Sequence, residues 1–131
     1  MQSLNIKEGE SGIRRVELQA GAKVAEEAPI IKIVTTLLKE AVQVNASDIH
    51  IEPEKARLRV RYRINGKLKE QTSLPAALQQ PVISRVKILS DLKIDENRVP
   101  QDGRFRTEIF GRDIDFRVST FPTPMGEKVA I

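Results

Sequence analysis

Cysteine and tryptophan are absent from this chain of 131 residues, and histidine and tyrosine occur once each. Without cysteine, disulfide bonds, thiol catalysis and zinc–thiolate sites are all excluded. A single histidine gives little support to histidine-based metal sites or to a Ser-His-Asp triad. The GxxxxGK[ST] loop that cradles phosphates is missing as well, as are GxGxxG and HExxH. The sequence therefore shows no nucleotide-hydrolysing apparatus of its own.

Long apolar runs are also missing. No run approaches the ~18 residues of a membrane-spanning helix, and residues 1–15 lack the apolar stretch of a secretion signal. We therefore expect a cytoplasmic protein that lies beside a membrane only through its partners.

The composition is that of an ordinary soluble domain. Hydrophobic residues make up 40% and charged residues 31%, and with so few aromatic residues the core must consist mainly of Ile, Val and Leu. The length suits one domain with a real core. The net charge of +4 arises from 22 basic and 18 acidic residues. This mild bias is compatible with anionic partners but is weak evidence for nucleic acid.

Periodicity divides the chain into an arm and a domain. Residues 1–28 are interpreted as a linker or N-terminal arm, in which residues 13–18 could form a short strand or helix, and residues 29–131 as the folded domain. Pro29 suits the first turn of a helix, and Asn45 is an end signal. Between them lies an apolar stripe at helical spacing, formed by Ile30, Ile33, Val34, Leu37, Leu38, Ala41 and Val42. Residues 75–89 predict a second helix with a buried stripe of Leu78, Val82, Val86 and Leu89, in which Pro81 marks a kink or the true start.

Alternating residues predict strands between and after these helices. Pairing residues 48–52 with 57–64 across a four-residue loop sets Glu52 against Arg57, His50 against Arg59 and Asp48 against Arg61. The Asn65-Gly66 turn is followed by Lys67 and Lys69, which a strict two-residue turn would place on the apolar face. We therefore predict a three-residue loop with a bulge that pairs Ile64 with Leu68. Residues 91–103 are predicted to form a polar loop, and residues 120–126 a turn or crossover. Residues 127–131 start a strand. Because domain boundaries normally fall in polar linkers, we expect the chain to be truncated there.

The stretch from Gly103 to Thr120, GRFRTEIFGRDIDFRVST, predicts a hairpin that turns at Phe110-Gly111. The opposed pairs are then Ile109–Arg112, Glu108–Asp113, Thr107–Ile114, Arg106–Asp115, Phe105–Phe116 and Arg104–Arg117. One face carries Phe105, Thr107, Ile114, Phe116 and Val118 and suits a core; the other carries Arg104, Arg106, Asp113, Asp115 and Arg117.

Arg104 and Arg117 are directly opposed in this register, which is unfavourable for like charges. A shared anion would relieve the conflict, because two guanidinium groups can grip a phosphate bidentately. The alternative is a pair of surface arginines that Asp102, Asp115 or Glu127 neutralises.

Two other charged patterns allow more than one interpretation. Asp48, His50 and Glu52 share one strand face and could ligate a metal, but a charge-paired sheet face is the better interpretation. Arg57, Arg59, Arg61 and Arg63, continued by Lys67 and Lys69, could follow a nucleic-acid backbone. Because Tyr62 alternates onto the apolar face and no stacking aromatics accompany the strip, an intersubunit charge patch is favoured.

An ordered series of motifs carries a family resemblance over about residues 28–131: ASDIHIEP from Ala46, RYRING from Arg61, PQDGR from Pro100, RVST from Arg117 and GEK from Gly126. The series closely resembles the second N-terminal domain of the type II secretion and type IV pilus assembly ATPases, the traffic ATPases. Asn65 stands where the family usually has an aspartate, and Asn-Gly serves that turn equally well.

The resemblance implies an α+β fold, a PAS-like antiparallel sheet with helices packed on one face, which precedes a RecA-like ATPase domain carrying the P-loop. It implies a hexameric motor that uses ATP and Mg²⁺, docked on inner-membrane platform proteins. From the charge pattern of the strip we expect no nucleic-acid partner. Arg104 and Arg117, with Arg112 a weaker candidate, match the arginines that contact the ATP phosphates. The chain alone is expected not to hydrolyse ATP and to bind no cofactor or metal.

Two further functions remain open from the sequence. A PAS-like ligand-sensing or protein-docking module would have an apolar pocket between the helices and the sheet. A small basic nucleic-acid binder would show steeply salt-dependent binding to DNA.

Overall fold

The structure, a computed structural model, describes residues 13–18 and 28–131 and, for residues 6–8, the backbone. Its helices are α1, Ala28–Gln43, and α2, Gln79–Ser90, the second preceded by a 3₁₀ turn, Ala76–Leu78. Its strands are β1 Ile6–Glu8, β2 Arg14–Val16, β3 Asp48–Pro53, β4 Arg57–Ile64, β5 Lys67–Pro75, β6 Gln101–Ile109, β7 Arg112–Thr123 and β8 Gly126–Ala130.

The strands form one sheet in the order β1-β2-β6-β7-β8-β3-β4-β5. All neighbouring pairs are antiparallel except β2 and β6, which run parallel. The predicted α+β class is confirmed, and the parallel β2–β6 pair is the exception to the antiparallel sheet that we expected. The two helices pack on the inner face of the sheet, and their apolar stripes form one core with its alternating residues, among them Ile51, Val60, Tyr62, Phe105 and Val118. No helix among the described residues is long and apolar enough to cross a membrane.

Helix α1 follows the predicted stripe and ends at the predicted signal. Val34, Leu37, Leu38 and Ala41 are buried, and the other predicted positions pack partly buried at the edge of the core. Asn45 adopts a left-handed conformation with φ of 58°. The Asn45 and Ala46 N–H groups donate to the carbonyls of Val42 and Ala41, which closes the helix with a Schellman motif.

Helix α2 begins close to Pro81, so the proline lies in its first turn rather than at a kink. Val82, Val86 and Leu89 are fully buried as predicted. The Gln79 side-chain amide ties the start of α2 to the β3–β4 turn by donating to the carbonyls of Glu54 and Arg57, at 2.7 and 2.9 Å.

The predicted β3–β4 register is wrong by two residues. Asp48, His50 and Glu52 lie opposite Arg63, Arg61 and Arg59, and the four-residue loop is not formed. Pro53 instead extends β3, and the Glu54 N–H donates to the Arg57 carbonyl at 2.9 Å, which closes a tighter turn. A shift of two residues keeps every side chain on its predicted face.

The predicted three-residue loop at Asn65 is also wrong. Ile64 pairs with Lys67 across a two-residue turn in which Asn65 and Gly66 have φ of 52° and 80°. The bulge lies farther along, between Val60 and Arg61, and it restores the alternation of β5. The lysines are tolerated because β5 is an edge strand, where their side chains reach solvent.

The segment of residues 13–18 forms strand β2 rather than a helix and contributes to the core. Val16 and Leu18 are buried. Arg14 donates to the carbonyls of Ile88 and Leu89, both at 3.2 Å, and so satisfies the carboxyl end of α2. Much of the expected arm over residues 1–28 lies outside the described residues, and its boundary with the domain stays a prediction.

Candidate functional site

The β6–β7 hairpin has the register that the sequence predicts. All six predicted pairs are formed, from Ile109–Arg112 to Arg104–Arg117. Phe110 and Gly111 form the turn with φ of 52° and 77°. On the inner face, Phe105 and Phe116 stack with ring centroids 4.9 Å apart. This stacked pair is the next pair along the hairpin from Arg104 and Arg117, so it holds the two strands together beside the arginines.

Arg104 and Arg117 both lie exposed on the outer face of the sheet. Within the described part of the chain, neither makes an ion pair or a hydrogen bond through its side chain. The unfavourable opposition of two guanidinium groups is therefore present. The charge of Asp115 acts on Arg104 from a distance, but no carboxylate of the described residues forms an ion pair with either arginine.

The three acids that could have neutralised this pair all have other partners. Asp102 accepts a hydrogen bond from the Ser119 hydroxyl at 2.6 Å. Asp115 receives two hydrogen bonds from Arg106, at 2.6 and 3.2 Å. Glu127 is buried on the inner face beside Lys87. The alternative in which these acids pair with the two arginines is not what the structure forms.

The basic strip on β4 differs from the arginine pair because acids neutralise it. Arg57 contacts Glu54 and Glu70, and Arg59 also contacts Glu70. The remaining pairs are Arg61 with Glu52, held by two hydrogen bonds of 2.9 and 2.7 Å, and Arg63 with Asp48 at 3.3 Å. A neutralised strip offers little net charge to a nucleic-acid backbone.

The motif residues around the arginine pair hold the start of β6 in place. The Gln101 side-chain amide donates to the carbonyls of Lys93 and Glu96, both at 3.0 Å, and its oxygen accepts from the Lys93 N–H. Across the hairpin, the Gln101 N–H donates to the Thr120 hydroxyl at 3.2 Å. The PQDGR and RVST motifs thus face each other residue by residue.

Gly103 allows β6 to approach the end of α2 closely. A Cβ atom at this position would lie 2.6 Å from the Ser90 carbonyl oxygen and 2.9 Å from Leu92 Cδ2. Real Cβ atoms essentially never approach other atoms so closely. The glycine that precedes Arg104 is therefore required by packing, and its close contact with the end of α2 fixes the position of the strand that carries Arg104 on the opposite face.

Arg112, the third candidate, lies apart from the other two. It is exposed beside the Phe110-Gly111 turn, opposite Ile109. At ~3.4 Å per residue it lies about 17 Å along β7 from Arg117, and strand alternation places the two on opposite faces. The structure therefore does not bring Arg112 to the same small anion as the opposed pair.

A buried ion pair that the sequence did not predict connects α2 to β8. Lys87 Nζ lies 2.5 Å from Glu127 Oε1, and the two side chains are 1% and 3% exposed. The approach is an ion pair rather than an aligned hydrogen bond, because neither Glu127 oxygen meets hydrogen-bond geometry. Alternation with buried Val129 could have indicated that Glu127 points inward, whereas no local signal pairs it with Lys87.

The charged face of β3 is paired, as the sequence favoured. Asp48 and Glu52 are held by Arg63 and Arg61, and Lys128 lies 3.5 Å from Glu52. His50 lies between them with both ring nitrogens buried, and burial, helped by the charge of Lys128, lowers its pKa. Among residues 13–18 and 28–131, no cluster of three or more acidic or histidine side chains is arranged to hold a metal.

Fold and site together define an α+β domain that displays an opposed, exposed arginine pair suited to an anion. A family model described as "Type II/IV secretion system protein" matches residues 23–131. The chain therefore belongs to the type II/IV secretion system protein family, as its motifs predicted.

Similar proteins come from both systems. The chain is 49% identical over 115 residues to the type II secretion system protein E of Xanthomonas campestris pv. campestris, a match that covers 88% of the chain and 20% of that protein. It is 45% identical to the type IV pilus assembly ATPase PilB of Myxococcus xanthus, over 84% of the chain and 20% of the relative. It is also 45% identical to the type II secretion system ATPase E of Vibrio cholerae, over 81% and 21%. The chain thus spans about a fifth of the length of the curated relatives it matches.

Proposed function

We propose that this chain is a non-catalytic N-terminal domain of a secretion or pilus assembly ATPase. In this role Arg104 and Arg117 contact the phosphates of ATP held by a RecA-like motor domain of the same or a neighbouring subunit. Membership of the family and the names of two relatives, which are called ATPases, support the proposal.

The observation that carries the proposal is the arginine pair itself. Arg104 and Arg117 are opposed and exposed, and the nearby acids Asp102, Asp115 and Glu127 have other partners. Two like charges held together destabilise a sheet unless a ligand compensates for them. Phosphate compensates well, since guanidinium groups bind its oxygens bidentately.

The chain's residues fit the phosphate groups of ATP, and we assign no magnesium ligand among the described residues. The pair is therefore half of a site, and ATP and Mg²⁺ would be held mainly by the motor domain. Charge spread over the γ-phosphate oxygens is stabilised only when the two domains close, which couples nucleotide state to domain motion.

The whole protein would act as a cytoplasmic homo-hexamer that reaches the inner membrane through platform proteins. Nucleic acid is not a partner in this proposal, because acids neutralise the basic strip on β4.

The test measures ATP hydrolysis by a protein that contains both this domain and the motor domain. Arg104→Gln and Arg117→Gln should each lower kcat by at least about tenfold, since an arginine that stabilises phosphoryl transfer contributes on the order of 10³–10⁵ in rate. Arg59→Gln is the matched control, because it removes an outer-face arginine that pairs with Glu70. Rates for both test variants that equal the control rate would refute the proposal.

A further inference from the structure

Two carboxylates flank the arginine pair on the outer face of the β6–β7 hairpin. Asp102 lies opposite Ser119, and Asp115 lies opposite Arg106. Diagonal neighbours in an antiparallel pair are separated by about 7–8 Å, which long side chains can bridge. Arg117 could therefore reach Asp102, and Arg104 could reach Asp115. Either contact would occupy the pair internally and weaken its hold on an anion.

Neither diagonal contact is formed. The Ser119 hydroxyl donates to Asp102 Oδ1 at 2.6 Å. Arg106 holds both oxygens of Asp115, and these hydrogen bonds, with a smaller contribution from the charge of Arg104, lower the pKa of Asp115. Each acid is thus turned toward the residue directly opposite it.

We infer that Ser119 is a positioning residue that holds Asp102 away from Arg117 and so keeps the arginine pair available to a phosphate anion. Arg106 serves the same purpose for Asp115 on the other side of the pair. This inference rests on the proposed function, because it assumes that the pair binds phosphate. It adds that the strength of binding depends on a serine that does not touch the ligand.

Ser119 is the informative residue to change because its removal alters no charge. Without the hydroxyl, Asp102 loses its donor and is free to turn toward Arg117, its diagonal neighbour across the hairpin. Asp102→Asn removes the competing charge and keeps the shape of the side chain. The two substitutions together therefore separate the positioning of Asp102 from any direct effect of Ser119 on the strand.

The experiment titrates inorganic tripolyphosphate into the 131-residue chain by calorimetry at low ionic strength, where exposed charges are least screened. Ser119→Ala should weaken binding about two- to fivefold, the range expected for an exposed ion pair formed in competition. In the Asp102→Asn background, Ser119→Ala should have no effect on affinity. Ser73→Ala, which changes an exposed serine on the edge strand β5, is the control.

The outcomes distinguish this inference from the proposed function. Two results would overturn the inference while leaving phosphate binding by the arginines intact. In the first, Ser119→Ala does not change the affinity for tripolyphosphate. In the second, Ser119→Ala lowers this affinity equally in the unmodified chain and in the Asp102→Asn background. If Arg104→Gln and Arg117→Gln leave tripolyphosphate binding unchanged, or the unmodified chain does not bind it, the inference is overturned. The proposed function is decided separately, by the kcat of the two arginine variants in the protein that contains the motor domain.

Discussion

Removal of one member of the buried Lys87–Glu127 ion pair should destabilise the domain strongly. The two groups are 2.5 Å apart, both are almost fully buried, and they connect helix α2 to strand β8 in the middle of the sheet. Lys87 Nζ also donates to the Glu96 carbonyl at 2.8 Å, so the pair fastens the loop that precedes β6. Substitution of either partner leaves a buried charge without its counter-charge.

Breaking a buried pair in this way costs about 3–5 kcal/mol, a large part of the roughly 5–15 kcal/mol by which a domain is stable. For a chain of this length, each kcal/mol lowers Tm by about 3–4 °C, so Glu127→Gln or Lys87→Met should lower it by about 10–20 °C. The double variant Lys87→Met/Glu127→Leu should recover most of this loss, because well-packed apolar residues often replace buried ion pairs without cost.

The assay is urea and thermal unfolding followed by circular dichroism. Arg63→Gln, which breaks the exposed pair with Asp48, is the control and should cost less than about 1 kcal/mol. The reasoning is refuted if the single variants unfold like the control, or if the double variant is as unstable as the sum of the singles.

Three further predictions concern the elements around the site. Gly103→Ala should lower the free energy of unfolding by about 1–3 kcal/mol, because the new methyl group meets the Ser90 carbonyl, and an unchanged Tm would contradict the close packing of β6 on α2. Phe105→Ala should lower the free energy of unfolding in urea by about 3–5 kcal/mol, since the ring is fully buried and stacked. Phe110→Ala, at the exposed turn, should lower it far less, and equal losses would refute the assignment of Phe105 to the core. The single histidine, His50, should titrate below 6.5 by NMR, because burial, with the charge of Lys128, outweighs the attraction of Asp48 and Glu52. Because the pKa of His50 is lowered in the folded state, the unfolded state binds more protons, and the free energy of unfolding falls as pH drops below about 6.5. This decline should be smaller in His50→Asn. A measured pKa above 6.5 would contradict the prediction.

The β6–β7 hairpin could be predicted pair by pair from the sequence. Strict alternation fixes which residues share a face, and Phe110-Gly111 supplies a two-residue turn between runs of suitable length. Arg104 and Arg117 therefore fall opposite each other by local rules alone. The helices were predictable for a similar reason, because their apolar stripes and the Asn45 cap are local signals.

The other strand registers depended on information that alternation does not contain. A shift of two residues at Pro53 leaves each side chain on the same face. Moving the bulge from Gly66 to Val60 changes the face of residues 67–70 and leaves the strand beyond the bulge as predicted. Turn closure by the Glu54 N–H and the exposure of an edge strand decided between the alternatives.

The environment of the arginine pair lay beyond the sequence for a different reason. The partners of Asp102, Asp115 and Glu127 are set by groups that come close only in the folded chain. Lys87, for example, reaches Glu127 from a helix forty residues earlier in the chain. The sequence could name these acids as candidates, and only the fold shows that all three have other partners.

The most direct test of the central claim is the distance from Arg104 and Arg117 to the nucleotide in a longer protein that includes the motor domain, bound to a non-hydrolysable ATP analogue. We predict that, in the closed subunits, guanidinium nitrogens of both residues lie about 3 Å from phosphate oxygens, the distance of a charge-assisted hydrogen bond. A structure in which both guanidinium groups stay farther than about 6 Å from every phosphate, too far for direct hydrogen bonding, would contradict the account.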